Sequence, residues 1–161
     1  MAHHFLVSVA SIAVLSSLFV MSGSPANANP RQTVAAKTGQ LTVAIEGLKT
    51  MRGQVCFSLF ASNRGFPSDS KRAVQSQCIQ IGTAPLEATF NQLPAGTYAV
   101  AVLHDINSDG AMNQGAFGIP TEGFGFSRNP AVRTSPPSFG DAAVVVAGPS
   151  TNIRIQLRYL F

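Results

Sequence analysis

The residues best suited to chemistry lie between positions 105 and 113. Residues 105–110 (DINSDG) fit the pattern D-x-[DN]-x-[DN]-G, in which alternate side-chain oxygens converge on a hard cation and glycine permits a sharp turn. The seventh and ninth positions of such a loop supply a backbone carbonyl and a further side chain. The predicted calcium ligands are Asp105, Asn107, Asp109, Ala111 and Asn113.

The loop is incomplete as an EF-hand. Its twelfth position, a bidentate Glu in EF-hands, is Ala116, and no helical pattern flanks it. Glu122 or Asp141 would have to supply the missing carboxylate. We therefore expect weak binding, with a dissociation constant on the order of 10⁻⁴–10⁻³ M, as in extracellular modules. The alternative is a structural turn, since tight turns use the same residue types.

His104 precedes Asp105, and this pair raises a hydrolase hypothesis with the imidazole as base. The predicted mature chain has no second histidine, which excludes a His-rich zinc site. It also lacks the Gly-x-Ser-x-Gly elbow of serine hydrolases. We therefore predict no catalytic residues and expect His104 to form hydrogen bonds within the long loop, as buried polar groups generally must.

A second candidate site combines arginines with aromatic rings. An exposed face of this composition would contact an anion or a carbohydrate, and its predicted ligand-binding residues are Arg128, Arg133, Phe124 and Phe126. In the alternative interpretation the arginines stack on the rings and pair with Glu122 or Asp141, which would pin the segment in place.

The elements that must position these residues are strands. Seven short segments show period-two alternation or a strand-like apolar run, and Gly, Pro and Asn turns separate them. They are residues 41–48, 53–60, 73–81, 86–93, 97–104, 142–147 and 152–160. No helical period appears outside the N-terminal leader. The pattern predicts an all-β fold, a single and approximately antiparallel β-sandwich of immunoglobulin-like or transthyretin-like type.

The gap between the fifth and sixth segments, residues 105–141, is long for a compact domain. It is rich in Gly and Phe, so we expect an ordered loop that packs on the sandwich. We expect it to share an end with the turns at 49–52 and 82–85. Its four phenylalanines are the expected buried anchors: Phe117, Phe124, Phe126 and Phe139.

The N-terminus predicts export. Residues 5–21 form an uncharged apolar run, and Ala28 ends a small–x–small site of the kind that signal peptidase cleaves. We therefore predict a signal peptide at 1–28, a flexible lead-in at 29–40, the sandwich at 41–161, and a periplasmic or extracellular location. The start carries no Lys or Arg, so an uncleaved anchor is the alternative. The mature chain shows no further membrane-spanning run.

Cysteine usage and charge agree with export. Cys56 and Cys78 are the two cysteines, and an exported chain with one such pair is expected to form a disulfide rather than keep a catalytic thiol. The net charge is +4, but the basic residues are scattered and form no run. This spacing argues against a nucleic-acid partner and favours mild affinity for anionic envelope surfaces.

Residues 90–100 (FNQLPAGTYAV) resemble the F-x-x-L-P-x-G-x-Y-x-V turn of transthyretin-like and carboxypeptidase-regulatory-like sandwiches. Over residues 41–159 an ordered set of motifs is similar to the bacterial family catalogued as domain of unknown function 2141. The motifs are GQV at 53–55, GFP at 65–67, LPAGTYAVAVLHD at 93–105, NSDG at 107–110, FGIP at 117–120, EGFGFS at 122–127 and PSFGDA at 137–142. The resemblance implies an exported sandwich domain without an established activity and transfers no catalytic residues.

Three functional hypotheses follow. The first is a non-catalytic module of the bacterial envelope that binds an unknown ligand or protein through residues 105–141 and is ordered by calcium. The second is a hydrolase that uses His104 and Asp105, and the third is a purely structural domain. Binding predicts exposed Phe or Arg side chains between 117 and 139, catalysis predicts an open pocket, and a structural role predicts complete burial.

Overall fold

The alternating segments fold into two stacked β-sheets, which confirms the predicted sandwich. The computed structural model describes residues 38–82, 86–133 and 135–160, so the predicted signal peptide lies outside the described residues. Within them the strands are β1 Thr38–Glu46, β2 Gln54–Phe60, β3 Gln75–Gln80, β4 Glu87–Pro94, β5 Gly96–Asp105, β6 Gly123–Phe126, β7 Val144–Val146 and β8 Ser150–Gln156. A short helix, α1, spans Phe139–Ala142. Because β1 begins at Thr38, the last residues of the predicted lead-in are strand.

The smaller sheet has the order β4-β1-β8 and the larger the order β3-β2-β5-β6, with β7 also paired to β5. Five of these pairings are antiparallel, as predicted. The β1–β8 pair is parallel, with Gln40 opposite Ser150 and Glu46 opposite Gln156. This departure arises because β7 and the turn after it deliver β8 to the end of the sandwich at which β1 begins.

The main core lies between the sheets and follows the alternation of the sequence. Leu41 and Val43 of β1 face Val55 and Phe57 of β2, and all four are fully buried. Each such side chain stabilises the fold by about 1.5–3 kcal/mol through its removal from water. β5 is buried on both faces along most of its length, as expected of a central strand.

A second, smaller core lies on the outer face of the larger sheet. Phe60, the last residue of β2, points outward and is fully buried, with its ring centroid 5.4 Å from that of Phe66. The Phe66 ring also lies 6.0 Å from Phe126 and 6.0 Å from Phe139. The long segment therefore packs on the sandwich through aromatic anchors, as predicted.

β6 falls inside the segment that the sequence indicated to be without strands. Its residues alternate glycine and phenylalanine, and both phenylalanines face the outer core. A Cβ atom on Gly123 would collide with the ring of Tyr159, and one on Gly125 would press against Ile155. Glycine therefore faces inward because β8 and the chain after it approach closely, and this removes the apolar–polar pattern typical of a strand.

Side-chain amides join the two sheets along both edges. On one edge the amide groups of Gln75 and Gln77 donate to backbone carbonyls of β4 at 2.9 and 3.3 Å. On the other, Asn129 accepts from the N–H of Gln156 at 2.8 Å and donates to the carbonyl of Arg154 at 3.2 Å. These contacts occupy backbone groups that would otherwise form open sheet edges.

The predicted disulfide is confirmed. Cys56 of β2 and Cys78 of β3 lie directly opposite each other, with their Cα atoms 4.0 Å apart and their sulfurs bonded. The bond lies on the outer face of the larger sheet, where Cys78 is exposed to solvent. Closing the intervening loop stabilises the fold by about 3 kcal/mol in the chain-entropy model.

Candidate functional site

The candidate calcium loop lies at the end of the sandwich where β5 finishes and β2 begins. We call residues 105–122 the acidic loop. The turn between β1 and β2 shares this end, as predicted, and Gly53 of that turn packs so closely on the Asp105 carbonyl that no side chain fits there. The amide of Gln54 donates to Asp105 at 2.8 Å. The base of the loop is thus fixed to a neighbouring strand.

Asp105 is the inner anchor of the acidic loop. Its side chain is fully buried. One carboxylate oxygen accepts from the N–H of Asp109 at 3.2 Å, and the other accepts from the N–H of Gly110 at 2.8 Å and from Gln54. Burial of a carboxylate is costly unless hydrogen bonds compensate it, and three N–H donors do so here.

Asp109 lies at the solvent-facing turn of the same loop. Its carboxylate accepts hydrogen bonds from the N–H of Ala111 at 2.9 Å and from the amides of Asn107 and Asn113 at 2.8 and 3.0 Å. These donors, with Ala111 contributing most, lower the pKa of Asp109 because they favour its ionised form. The predicted ligand residues are therefore gathered around a carboxylate that stays charged at neutral pH.

Glu122 closes the acidic loop from its far end. It is 4% exposed, and its two oxygens accept from the N–H groups of Ile106 at 2.8 Å and Asn113 at 3.0 Å. A single carboxylate thus joins the first and the middle part of the loop. The sequence suggested Glu122 as a spare calcium ligand or as a partner for Arg128 or Arg133, whereas in the structure it clamps the loop through backbone N–H groups. Asp141, the other spare ligand, caps helix α1 with Ser138 instead.

The oxygens of the two buried carboxylates are directed at N–H groups. Within the ranges that the structure describes, no set of three His, Cys, Asp or Glu side chains is placed to hold a metal ion. Of the predicted calcium ligands, the side chains that lie near solvent are those around Asp109. Calcium binding by this loop stays a prediction.

His104 lies inside the sandwich rather than in the loop. Its side chain is fully buried; Nε2 lies 2.9 Å from the carbonyl of Arg52 and Nδ1 lies 2.6 Å from the hydroxyl of Tyr159. A carbonyl only accepts, so Nε2 is assigned as the donor and Nδ1 as the acceptor. Burial raises the pKa of Tyr159, while the Lys49 N–H opposes this shift. Both imidazole nitrogens are thus occupied by structural hydrogen bonds.

Phe117 forms the outermost tip of the acidic loop. The strand-like pairing of Gln114 with Pro120 and a 2.8 Å hydrogen bond from Gly115 to Ile119 narrow the loop to a hairpin. At its tip Phe117 has φ of 61° and is 99% exposed. The prediction that all four phenylalanines of the segment are buried is therefore wrong for Phe117.

The predicted ligand-binding face separates into buried rings and exposed arginines. Phe124 and Phe126 belong to the outer core, at 6% and 9% exposure, so their rings are not available to a ligand. Arg128 and Arg133 are exposed. Arg133 lines a shallow concavity of about 530 Å³, together with prolines and Asp141. The Asp141 pKa is lowered chiefly by hydrogen bonds from Ser138 and less by the charge of Arg128.

Helices long and apolar enough to cross a membrane are not found in the part of the chain that the structure describes.

Comparison with known proteins places the chain in a family. No curated protein and no solved structure matches this chain. A family model described as "uncharacterized protein conserved in bacteria" matches residues 43–154, from β1 into β8. The chain therefore belongs to this bacterial family, domain of unknown function 2141.

Proposed function

We propose that this protein is a non-catalytic binding module of the bacterial envelope that contacts a partner through the tip of the acidic loop. The observation that carries the proposal is the position of Phe117, 99% exposed at the tip of a hairpin. Aromatic side chains dominate the energy of protein interfaces when a partner's pocket encloses them. The other three rings of the segment serve the core, so Phe117 is the ring that burial does not explain.

The loop below Phe117 is built to hold the ring in place. Glu122 and Asp105 bind backbone N–H groups on both sides of the loop, and the N–H of Thr121 donates to Asn113 at 2.9 Å. A tip that is ordered before binding loses less conformational entropy when a partner covers it. An ordered loop of this kind is better suited to docking than a flexible surface loop, and this supports the proposed role.

The envelope location rests on the leader sequence and on the disulfide. Cys78 is exposed on an edge strand, and a solvent-accessible disulfide persists in oxidising compartments rather than in the cytosol. The leader residues 5–21 carry the apolar run of a signal peptide. Both features support export of the mature sandwich.

The non-catalytic part of the proposal rests on His104 and Asp105. Each is fully buried, and each already accepts or donates hydrogen bonds that hold the turn before β2 and the acidic loop. A general base must reach a substrate proton within about 3 Å. Both side chains are enclosed and their polar atoms already have protein partners, which favours a structural role for the pair.

Site-specific photo-crosslinking in intact cells tests the docking role of Phe117. A photoreactive phenylalanine analogue replaces Phe117 in one variant and Val145, which is 65% exposed on β7, in the control. We expect a discrete crosslinked product from position 117 and none from position 145. Equal products from both positions, or none from either, would contradict the proposal.

We also propose that the acidic loop takes up calcium weakly. The support is chemical: Asp109, Asn107 and Asn113 provide the hard oxygen donors that calcium prefers, on a loop with the spacing of known calcium motifs. The Asp109 carboxylate is exposed and ionised, so an ion can reach it. The buried carboxylates already accept hydrogen bonds, which is a physical reason for low affinity.

A further inference from the structure

The fold brings together two loops that carry basic residues far apart in the sequence. Loop 61–74 joins β2 to β3, and loop 127–143 joins β6 to β7. Both loops carry cationic side chains, and all of these are exposed. We call this group the basic face: Arg64, Lys71, Arg72, Arg128 and Arg133.

The two loops pack against each other through aromatic rings. Phe66 of the first loop lies 6.0 Å from Phe139 of the second and 6.0 Å from Phe126 at its start. Gly65 fits against the aliphatic part of Arg72, with a positive φ of 81°. The cations are thus carried by two loops that pack against each other, and not by two independent loops.

The acidic residues of these loops leave a cationic excess. Asp69 pairs with Arg72 at 3.2 Å, and Asp141 caps helix α1 through Ser138. The other five acidic residues of the chain lie elsewhere, at Glu46, Glu87, Asp105, Asp109 and Glu122. Two acids against five cations give the basic face a net charge of +3.

We infer that the basic face docks this protein onto an anionic phospholipid surface. Arginine guanidinium groups match the geometry of phosphate oxygens, and four of the five cations are arginines. The cations project from the surface of two loops instead of converging on a deep cleft, which suits an extended layer of headgroups. A basic cluster next to an anionic bilayer gains roughly fivefold in affinity per cation.

Docking in this way is independent of the proposed role of Phe117. Loop 61–74 leaves the sandwich at the end of β2 opposite to the acidic loop. β2 runs seven residues between these ends, which is about 20 Å for an extended strand. The basic residues of loop 61–74 and the acidic loop therefore lie at opposite ends of β2.

Vesicle co-sedimentation with a charge-matched control tests the inference. The purified chain is mixed with phosphatidylglycerol–phosphatidylcholine vesicles or with phosphatidylcholine vesicles alone. The test variant is Arg64→Glu with Arg133→Glu. The control, Lys49→Glu with Arg52→Glu, makes the same change in net charge in the exposed β1–β2 turn, at the end of β2 away from loop 61–74. Circular dichroism melting shows that both variants remain folded.

We expect binding to the anionic vesicles alone, weakened by added salt. The test variant should bind at least about 25-fold more weakly, because two of the five favourable cations are lost, and the control should change binding much less. Equal losses in the two variants would show an effect of net charge alone and overturn the site. Equal binding to zwitterionic vesicles would overturn the lipid assignment. Neither result bears on crosslinking at position 117.

Discussion

The two halves of the segment between β5 and β7 are anchored to the sandwich in different ways. In the acidic loop, residues 105–122, Met112 packs partly buried against the outer core, but the two enclosed side chains that order the loop through backbone N–H groups are the carboxylates of Asp105 and Glu122. Residues 127–143 instead follow the rings of Phe126 and Phe139 into the outer core. The first half is held mainly by hydrogen bonds to charged groups, and the second mainly by burial of apolar surface.

Because the two halves are anchored differently, they can expose different kinds of side chain. A loop held by carboxylates keeps its shape without covering its own surface, so its tip can present Phe117 to solvent. A loop held by rings must lie flat on the sheet, so it presents the polar ends of long side chains such as Arg128 and Arg133. The first geometry suits insertion into a partner, and the second suits lateral contact with a charged layer.

The largest expected effect is loss of an aromatic anchor. Phe126→Ala should lower the free energy of unfolding by about 3 kcal/mol, because the ring is nearly buried and leaves a cavity between Phe66 and Phe124. Urea denaturation measures this change. Amide exchange should speed up in residues 127–143 while the acidic loop keeps its protection.

The matched control is the same substitution at the exposed ring. Phe117→Ala removes a side chain that contacts solvent, so its effect on stability should stay within about 0.5 kcal/mol. A cost for Phe117→Ala close to that for Phe126→Ala would mean that the tip is buried in solution. The proposed difference between the two halves, an exposed ring in one and buried rings in the other, would then be wrong.

A smaller effect should follow from weakening the clamp of the acidic loop. Glu122→Gln keeps the shape of the side chain but replaces the charged carboxylate with a neutral amide. The NH₂ group of this amide then faces a backbone N–H, with which it cannot form a hydrogen bond. We expect a loss of about 2 kcal/mol, because the Ile106 and Asn113 N–H groups lose a charged partner. Amide exchange should accelerate at these two residues and leave 127–143 unchanged; acceleration in both halves together would refute separate anchoring.

The sandwich could be predicted from the sequence because alternation shows which side of a strand is buried. Seven of the eight described strands coincide with segments that show this alternation or a short apolar run. β6 was missed because Gly123 and Gly125 face the core without apolar side chains. The parallel direction of β8 was missed because alternation carries no information about which neighbour a strand chooses.

The site was predictable where its determinants are local in sequence. The DINSDG motif at 105–110 correctly located a tight loop in which side-chain oxygens surround one turn. The clamping role of Glu122 depends on a return of the chain after Phe117, and the basic face depends on contact between two distant loops. Spacing along the chain shows neither. The exposure of Phe117 was missed because residue type alone predicts burial.

Calcium binding should change stability least, and it should depend on the acidic loop and not on residues 127–143. A calcium concentration about ten times the dissociation constant stabilises a protein by about 1.4 kcal/mol. With the affinity expected of this motif, about 10 mM calcium should therefore raise the melting temperature relative to chelator. Asp109→Asn should abolish the increase, because it removes the exposed charge at the centre of the donors. Asp141→Asn removes an equal charge from the other half and should preserve the increase. An increase that both substitutions abolish, or none in the unaltered protein, would leave the acidic loop as a scaffold for Phe117 without a metal.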